Sequence, residues 1–283
     1  MRFVTFDPGA GPRPGALVGE EIADLSPVAH SIEDVLATGR LGATRDALKR
    51  AERFPAASCT VLAPLRPASL RDFLAFEDHA KGGARRRNEE LNPSWYEIPV
   101  YYKGNHREIL GPGENLLWPA FTDKLDFELE LACVVGERGR DLDETSAGSH
   151  IAGYTIMNDW SARDVQRREM AMRLGPAKSK DFATSLGPVL VTADEIDPRD
   201  GLKMTARVNG EIWCEANSAA MHWTFPQMIS YVSRGETVYP GDVYGSGTPF
   251  GGCGLDQDRW LRPGDTVDLE IEGIGVLSNT VVR

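Results

Sequence analysis

Leu125-Asp126-Phe127-Glu128-Leu129-Glu130-Leu131-Ala132-Cys133-Val134-Val135-Gly136 alternates acidic and apolar side chains, then turns wholly apolar before a glycine. Alternation of period two belongs to an extended strand, whose successive side chains leave opposite faces. Phe127, Leu129 and Leu131 then share a face turned to a core, and Asp126, Glu128 and Glu130 share the other. Two readings of the acidic face follow. Either it is the solvated side of an amphipathic strand, or its carboxylates, about 7 Å apart at successive same-face positions, clasp a hard divalent cation. Like charges so placed repel unless solvated or neutralised, and an oxygen-liganded Mg²⁺, Mn²⁺ or Ca²⁺ neutralises them.

Outward from this stretch the chain keeps its β character. Short apolar runs bounded by Gly and Pro recur at 187–196, 204–213 and 266–282, and Val208-Asn209-Gly210-Glu211 carries the signature of a tight hairpin. Residues 1–25 read as a small β-meander. Helical spacing is confined to 31–53, with a cap-like Ser31 to Asp34 start, and to 69–90, 160–173 and 224–234. Breakers around Pro64 and Pro67 set a boundary near residue 65. The expectation is a mainly β (α+β) protein: a small N-terminal β/α region over 1–65, and a curved, multi-sheet domain over 66–283. No GxGxxG follows a strand and no GxxxxGK[ST] occurs, which argues against dinucleotide and P-loop folds.

Composition narrows the class. The 283 residues are 41% hydrophobic and 26% charged, ordinary globular usage that argues against disorder. A formal charge of −11 argues against nucleic-acid and anionic-membrane partners, while a local basic pocket can still take an anionic small molecule. No apolar run reaches the length of a membrane-spanning helix, and the first fifteen residues lack a signal peptide's apolar core, so a cytoplasmic protein is expected. Cys59, Cys133, Cys214 and Cys253 are scattered, without zinc or disulfide spacing.

A second chemical signal is Asn158-Asp159-Trp160-Ser161-Ala162-Arg163-Asp164-Val165-Gln166. Asp159 follows a plausible strand, and Arg163 and Gln166 come one and two turns later on one helical face. On spacing alone this is equally an aspartate N-cap with a surface arginine.

Together the two stretches resemble the fumarylacetoacetate hydrolase family. Leu125 to Gly136 is similar to its acidic strand and VG turn, and Asn158 to Gln166 to its NDxSARDxQ segment. Ala177-Lys178-Ser179 with Leu186-Gly187-Pro188 resembles its KS…GP element, and Gly245-Ser246-Gly247-Thr248 its late SGT turn. Pro93-Ser94-Trp95 and Pro99-Val100-Tyr101-Tyr102-Lys103-Gly104 look like the PxW…PVxYxG stretch of the fumarylacetoacetase branch. The likeness runs from about residue 65 to the C-terminus.

The resemblance implies a mixed β-roll, a homodimer, and a divalent ion, Mg²⁺ ahead of Mn²⁺ or Ca²⁺, held by Glu128, Glu130 and Asp159 with Asp72 as fourth ligand. It implies His79 as general base, seven residues after Asp72, and Lys178 as catalytic lysine, with Lys180 a competitor in Lys178-Ser179-Lys180. Tyr102, Arg163, Gln166 and Thr248 match substrate-contacting positions. Arg85 matches a carboxylate-binding arginine in a register open by one or two residues. Departures are Leu74 for a tyrosine, Gly82 for a glutamate of the shorter branch, and no clear acid for His79; Asp256, Glu77 and Asp78 are the candidates. The implied activity is hydrolysis of a C–C bond in a small anionic 1,3-diketo acid by water that His79 activates. Decarboxylation or tautomerisation of a 2-oxo acid at the same site is the alternative, and metal-dependent binding without turnover a further one.

Overall fold

The structure, a computed structural model, describes residues 1–39 and 41–283. Its strands form one twelve-stranded sheet, a five-stranded sheet and two short ribbons. Ten strands of the large sheet run in the order Arg53–Pro55, Glu21–Asp24, Arg13–Val18, Arg2–Asp7, Thr184–Thr192, Ile151–Asp159, Leu129–Val135, Asp242–Gly245, Ser69–Phe73, Tyr101–Gly104, and two more pair beside them, Thr60–Leu62 with Arg2–Asp7 and Ile109–Leu110 with Thr184–Thr192. Arg2–Asp7, Arg13–Val18 and Glu21–Asp24 are the expected meander, and Arg2–Asp7 pairs with Thr184–Thr192, so they continue the main sheet. The second sheet runs Glu211–Asn217, Lys203–Val208, Thr266–Ile271, Gly275–Val282, Leu116–Leu117. This is the mainly β, multi-sheet architecture that the runs predicted.

The core lies on both faces of the large sheet, which is why Leu129–Val135 and Ile151–Asp159 are buried along their whole length. Leu129, Leu131 and Cys133 pack with Leu269, Ile271, Leu277 and Val281 of the second sheet. Ala132 and Val134 turn the other way, onto Phe3, Leu25, Ile32 and Leu190. Each such aliphatic side chain contributes about 1.5–3 kcal/mol on full burial. The solvated reading of the acidic face fails here: Asp126, Glu128 and Glu130 are all buried. The acidic stretch is also interrupted, as Leu125–Asp126 and Leu129–Val135 are separate strands.

Among the described residues six α-helices decorate the sheets: α1 Ile32–Ala37, α2 Leu41–Ala47, α3 Glu77–Arg86, α4 Glu144–Ser149, α5 Arg163–Ala171 and α6 Phe225–Ser233. Ser31 caps α1 by accepting from the Asp34 amide at 3.2 Å. The single helix expected over 31–53 is instead two short ones, with Gly39 at φ +62° between them and Arg40 outside the described residues. The expected helix over 69–90 is corrected too: Ser69–Phe73 is a strand parallel to Asp242–Gly245, and α3 starts only at Glu77. Pairing with two neighbours overrides the helical spacing there. Helix α4, unexpected from the sequence, starts where Asp143 accepts from the Ser146 amide. The Asn209-Gly210 hairpin forms with both residues at positive φ. No helix among the described residues is long and apolar enough to cross a membrane.

Candidate active site

Strand register assembles the site. Asp72 lies opposite Tyr102 on one side and Gly245 on the other, and Gly245 pairs next along the sheet with Ala132, two residues beyond Glu130. Leu129 faces Asn158, which brings Glu128 beside Asp159. Asp72, Glu128, Glu130 and Asp159 thereby present carboxylate oxygens within 4.8 Å of one another, all buried. The glycine turn is shaped to this cluster. A Cβ at Gly245 would come within 2.6 Å of Glu130 Oε2 and 2.7 Å of Asp72 Oδ1. Gly247, at φ +75°, donates its amide to Glu130 at 3.1 Å and to Asp72 at 3.2 Å.

Charge divides the cluster into two halves. Arg163 donates Nη2 to Glu128 and Nε to Asp126, each at 2.8 Å, and the Lys180 ammonium bonds Glu128 and Asp159. Burial alone would raise the Glu128 carboxyl, but Arg163, Lys180 and then His79 pull it well below the usual range. Burial opposes the Lys180 charge, but Asp159 and Glu128 drive its ammonium above its ordinary value. The other half has no such cation. Burial, with repulsion from Asp159, pushes Asp72 well up, and burial with the charge of Asp72 does the same to Glu130. Burial also raises Asp159. Glu130 Oε1 is buried without a hydrogen-bond partner. Four oxygen donors, one orphaned, fit a hard divalent cation, which would supply the charge that Asp72 and Glu130 lack.

His79, in the first turn of α3, approaches from outside the sheet. Its Nδ1 lies 2.9 Å from Asp256 Oδ2. Asp256 is thus the acid that the sequence left open; Glu77 pairs with Lys81 and Tyr96 instead. The loop bearing Asp256 is fastened by Asp126, which accepts from the amides of Gly254 at 2.8 Å and Leu255 at 3.0 Å. Asp126 is therefore a fastener between Arg163 and this loop, a function that alternation with Glu128 did not reveal.

The remaining expected residues divide. Tyr102 donates to Asp159 at 2.7 Å, and burial, then Asp159, pushes its phenol well up, so it stays protonated. Gln166 accepts from Arg163 at 2.9 Å. Thr248 is buried with its hydroxyl unpartnered. Two expected residues lie away from the cluster. Lys178 is exposed with its ammonium 5.2 Å above the Phe121 ring, and Lys180 enters the cluster in its place. The two differ by one step of an irregular turn, and only Lys180 faces inward. Arg85 and Arg86 are both exposed, and it is Arg86, one full heptad after His79 on α3, that donates to Asp256 at 2.7 Å.

Residues 69–282 match the family model described as fumarylacetoacetate (FAA) hydrolase C-terminal. The chain belongs to the fumarylacetoacetate hydrolase family. A mitochondrial oxaloacetate tautomerase of Bos taurus is 35% identical over 231 residues, 81% of this chain and 71% of that protein. The oxaloacetate tautomerase YisK of Bacillus subtilis is 40% identical over 208 residues, 73% of this chain and 66% of that protein. Among solved structures, a fumarylacetoacetate hydrolase from psychrophilic Exiguobacterium antarcticum superposes with a TM-score of 0.85 at 30% identity. The match covers 100% of this chain and 99% of that one. The branch is a correction: these two relatives are oxaloacetate tautomerases, where the motifs had suggested fumarylacetoacetase. The family's enzymes thus span hydrolysis and tautomerisation.

Proposed function

We propose that this protein enolises small anionic 2-oxo acids, with keto–enol tautomerisation of oxaloacetate as its reaction. The observation that carries the reading is the His79–Asp256 pair, a proton-transfer device beside a buried carboxylate cluster that Lys180 and Arg163 enter. The tautomerases at 35% and 40% identity support this reaction over hydrolysis.

Asp256 engages Nδ1, which leaves Nε2 as the ring nitrogen to take up a proton. Nε2 removes a proton from C3, next to the C2 carbonyl. The C–H pair becomes the C2–C3 double bond, and the carbonyl pair moves onto oxygen. Lys180 and Arg163 oppose the charge that develops there, in a site whose burial strengthens the effect. The imidazolium returns its proton to that oxygen, so the enol forms and no water is consumed. Gln166 and the free hydroxyl of Thr248 are placed to orient the substrate. Asp72, Glu128, Glu130 and Asp159 would hold a divalent ion, to which we assign Mg²⁺, and it would polarise the substrate oxygens as a Lewis acid.

C–C hydrolysis of a 1,3-diketo acid is the second reading, favoured by Asp256, since a buried acid behind the histidine is what water activation uses. The decisive assay follows the ultraviolet absorbance of enol oxaloacetate, fumarylacetoacetate and an acylpyruvate with enzyme and Mg²⁺. Accelerated enol decay in oxaloacetate alone is expected. Cleavage of a diketo acid with oxaloacetate untouched would reject tautomerisation in favour of hydrolysis.

A further inference from the structure

We infer that Glu169 is a positioning residue that sets the Lys180 ammonium into the carboxylate cluster. Lys180 belongs to no strand or helix; it lies within an irregular turn after α5, yet it is almost fully buried and bonded to Glu128 and Asp159. A lysine's four-carbon stem is flexible, so its backbone must be held if the ammonium is to stay in one place. Glu169, in the last turn of α5, does the holding. Its Oε2 accepts from the Ala177 amide at 2.9 Å and the Ser179 hydroxyl at 2.6 Å, and its Oε1 from the Ser179 amide at 3.3 Å. Ser179, fully buried and adjacent to Lys180, returns its carbonyl to the Ala162 amide at 2.8 Å, just ahead of α5. The turn is therefore tied to both ends of one helix. Although burial opposes it, bonding from Ser179 and the turn amides keeps the Glu169 carboxyl below its ordinary value. Helix α5 thus places both cations of the site: Arg163 from its first turn directly, and Lys180 from its last turn through Glu169.

The inference rests on Lys180 acting in the proposed reaction, and its test carries a readout independent of that reaction. Reductive methylation with formaldehyde and borohydride, read by peptide mass spectrometry, should label exposed Lys178 and spare Lys180 in the wild type. In Glu169→Ala, Lys180 labelling should rise several-fold. Turnover of oxaloacetate should fall about 10–100-fold in kcat, the scale of a misplacement of about 1 Å, with KM within about threefold. Glu169→Gln keeps an acceptor oxygen for the Ala177 amide and Ser179 hydroxyl and should recover most of the rate. If Glu169→Ala fails to fold, Glu169→Asp, one methylene short, is read by the same measures. Unchanged protection of Lys180, or a kcat within about threefold of wild type, overturns the inference. A wild type inactive on oxaloacetate would sink the proposed reaction and leave the labelling result to judge the latch.

Discussion

His79 Nδ1 and Asp256 Oδ2 lie 2.9 Å apart although 177 residues separate them. The Asp256 side chain is fully buried, its other oxygen accepts from Arg86 at 2.7 Å, and the Gly251 amide donates to Oδ2 at 2.8 Å. Three donors on one carboxylate leave the imidazole a single orientation. That geometry generates the first two predictions.

Replacing His79 by alanine should lower kcat by about 10²–10⁴, the usual contribution of a general acid–base group. KM should move little, because the carboxylate cluster, Arg163 and Thr248 remain. Steady-state kinetics on oxaloacetate check this, and a loss below about threefold would end the assignment of His79 as base.

Asp256 also carries a pH signature. Burial opposes its ionisation, but the His79, Gly251 and Arg86 contacts hold it down at about 2. An unfolded aspartate titrates near 3.9, so the stability Asp256 contributes is complete above about pH 4 and lost as pH falls through about 2. Urea unfolding should show wild type ahead of Asp256→Asn by about 2 kcal/mol at pH 6. The gap should close toward pH 2; a gap independent of pH would contradict the shift.

The lysines separate cleanly. Lys180→Met removes the ammonium bonded to Glu128 and Asp159 and should cost about 10²-fold or more in kcat. Lys178→Ala removes only an exposed contact over Phe121, and kcat should stay within about twofold. The reverse ranking would restore Lys178 as the catalytic lysine.

Asp126→Ala should be among the most destabilising single changes at this site. It strips a buried partner from Arg163 and frees the amides of Gly254 and Leu255. Breaking a buried ion pair from one side costs about 3–5 kcal/mol. Thermal denaturation should reveal it, and kcat should drop as the Asp256 loop loosens. A shift in midpoint of under a degree would argue that the fastening is dispensable.

Chelator-treated protein should gain thermal stability when Mg²⁺ is added, by about 2.7 kcal/mol at one hundred times Kd. Glu128→Ala combined with Glu130→Ala should abolish that gain and any calorimetric binding signal. Binding and activity that both survive the double substitution would refute the carboxylate cluster as the ion's seat.

The local half of this protein is written in its residue order. Alternation from Leu125 to Leu131 marks strands and an acidic set, Asn209-Gly210 marks a hairpin through positive φ, and Ser31 marks a helix start. The carboxylates Glu128, Glu130 and Asp159, with Asp72 and His79, stand in motifs whose order is visible without coordinates. What stayed hidden is whatever two equivalent neighbours compete for. Lys178 and Lys180 are chemically alike, and so are Arg85 and Arg86; only the burial of Lys180 between Glu128 and Asp159, and the reach of Arg86 to Asp256, tells them apart. Asp256 itself sits on a loop with no motif, pinned by Asp126 more than a hundred residues earlier. Helical spacing over 69–73 likewise gave way to pairing with Asp242–Gly245. Periodicity and capping are properties of adjacent residues, so one chain read alone displays them. The inward choice among like side chains is settled by the low-dielectric interior, where a buried charge is tolerated only opposite its partner, and distant segments bring that partner.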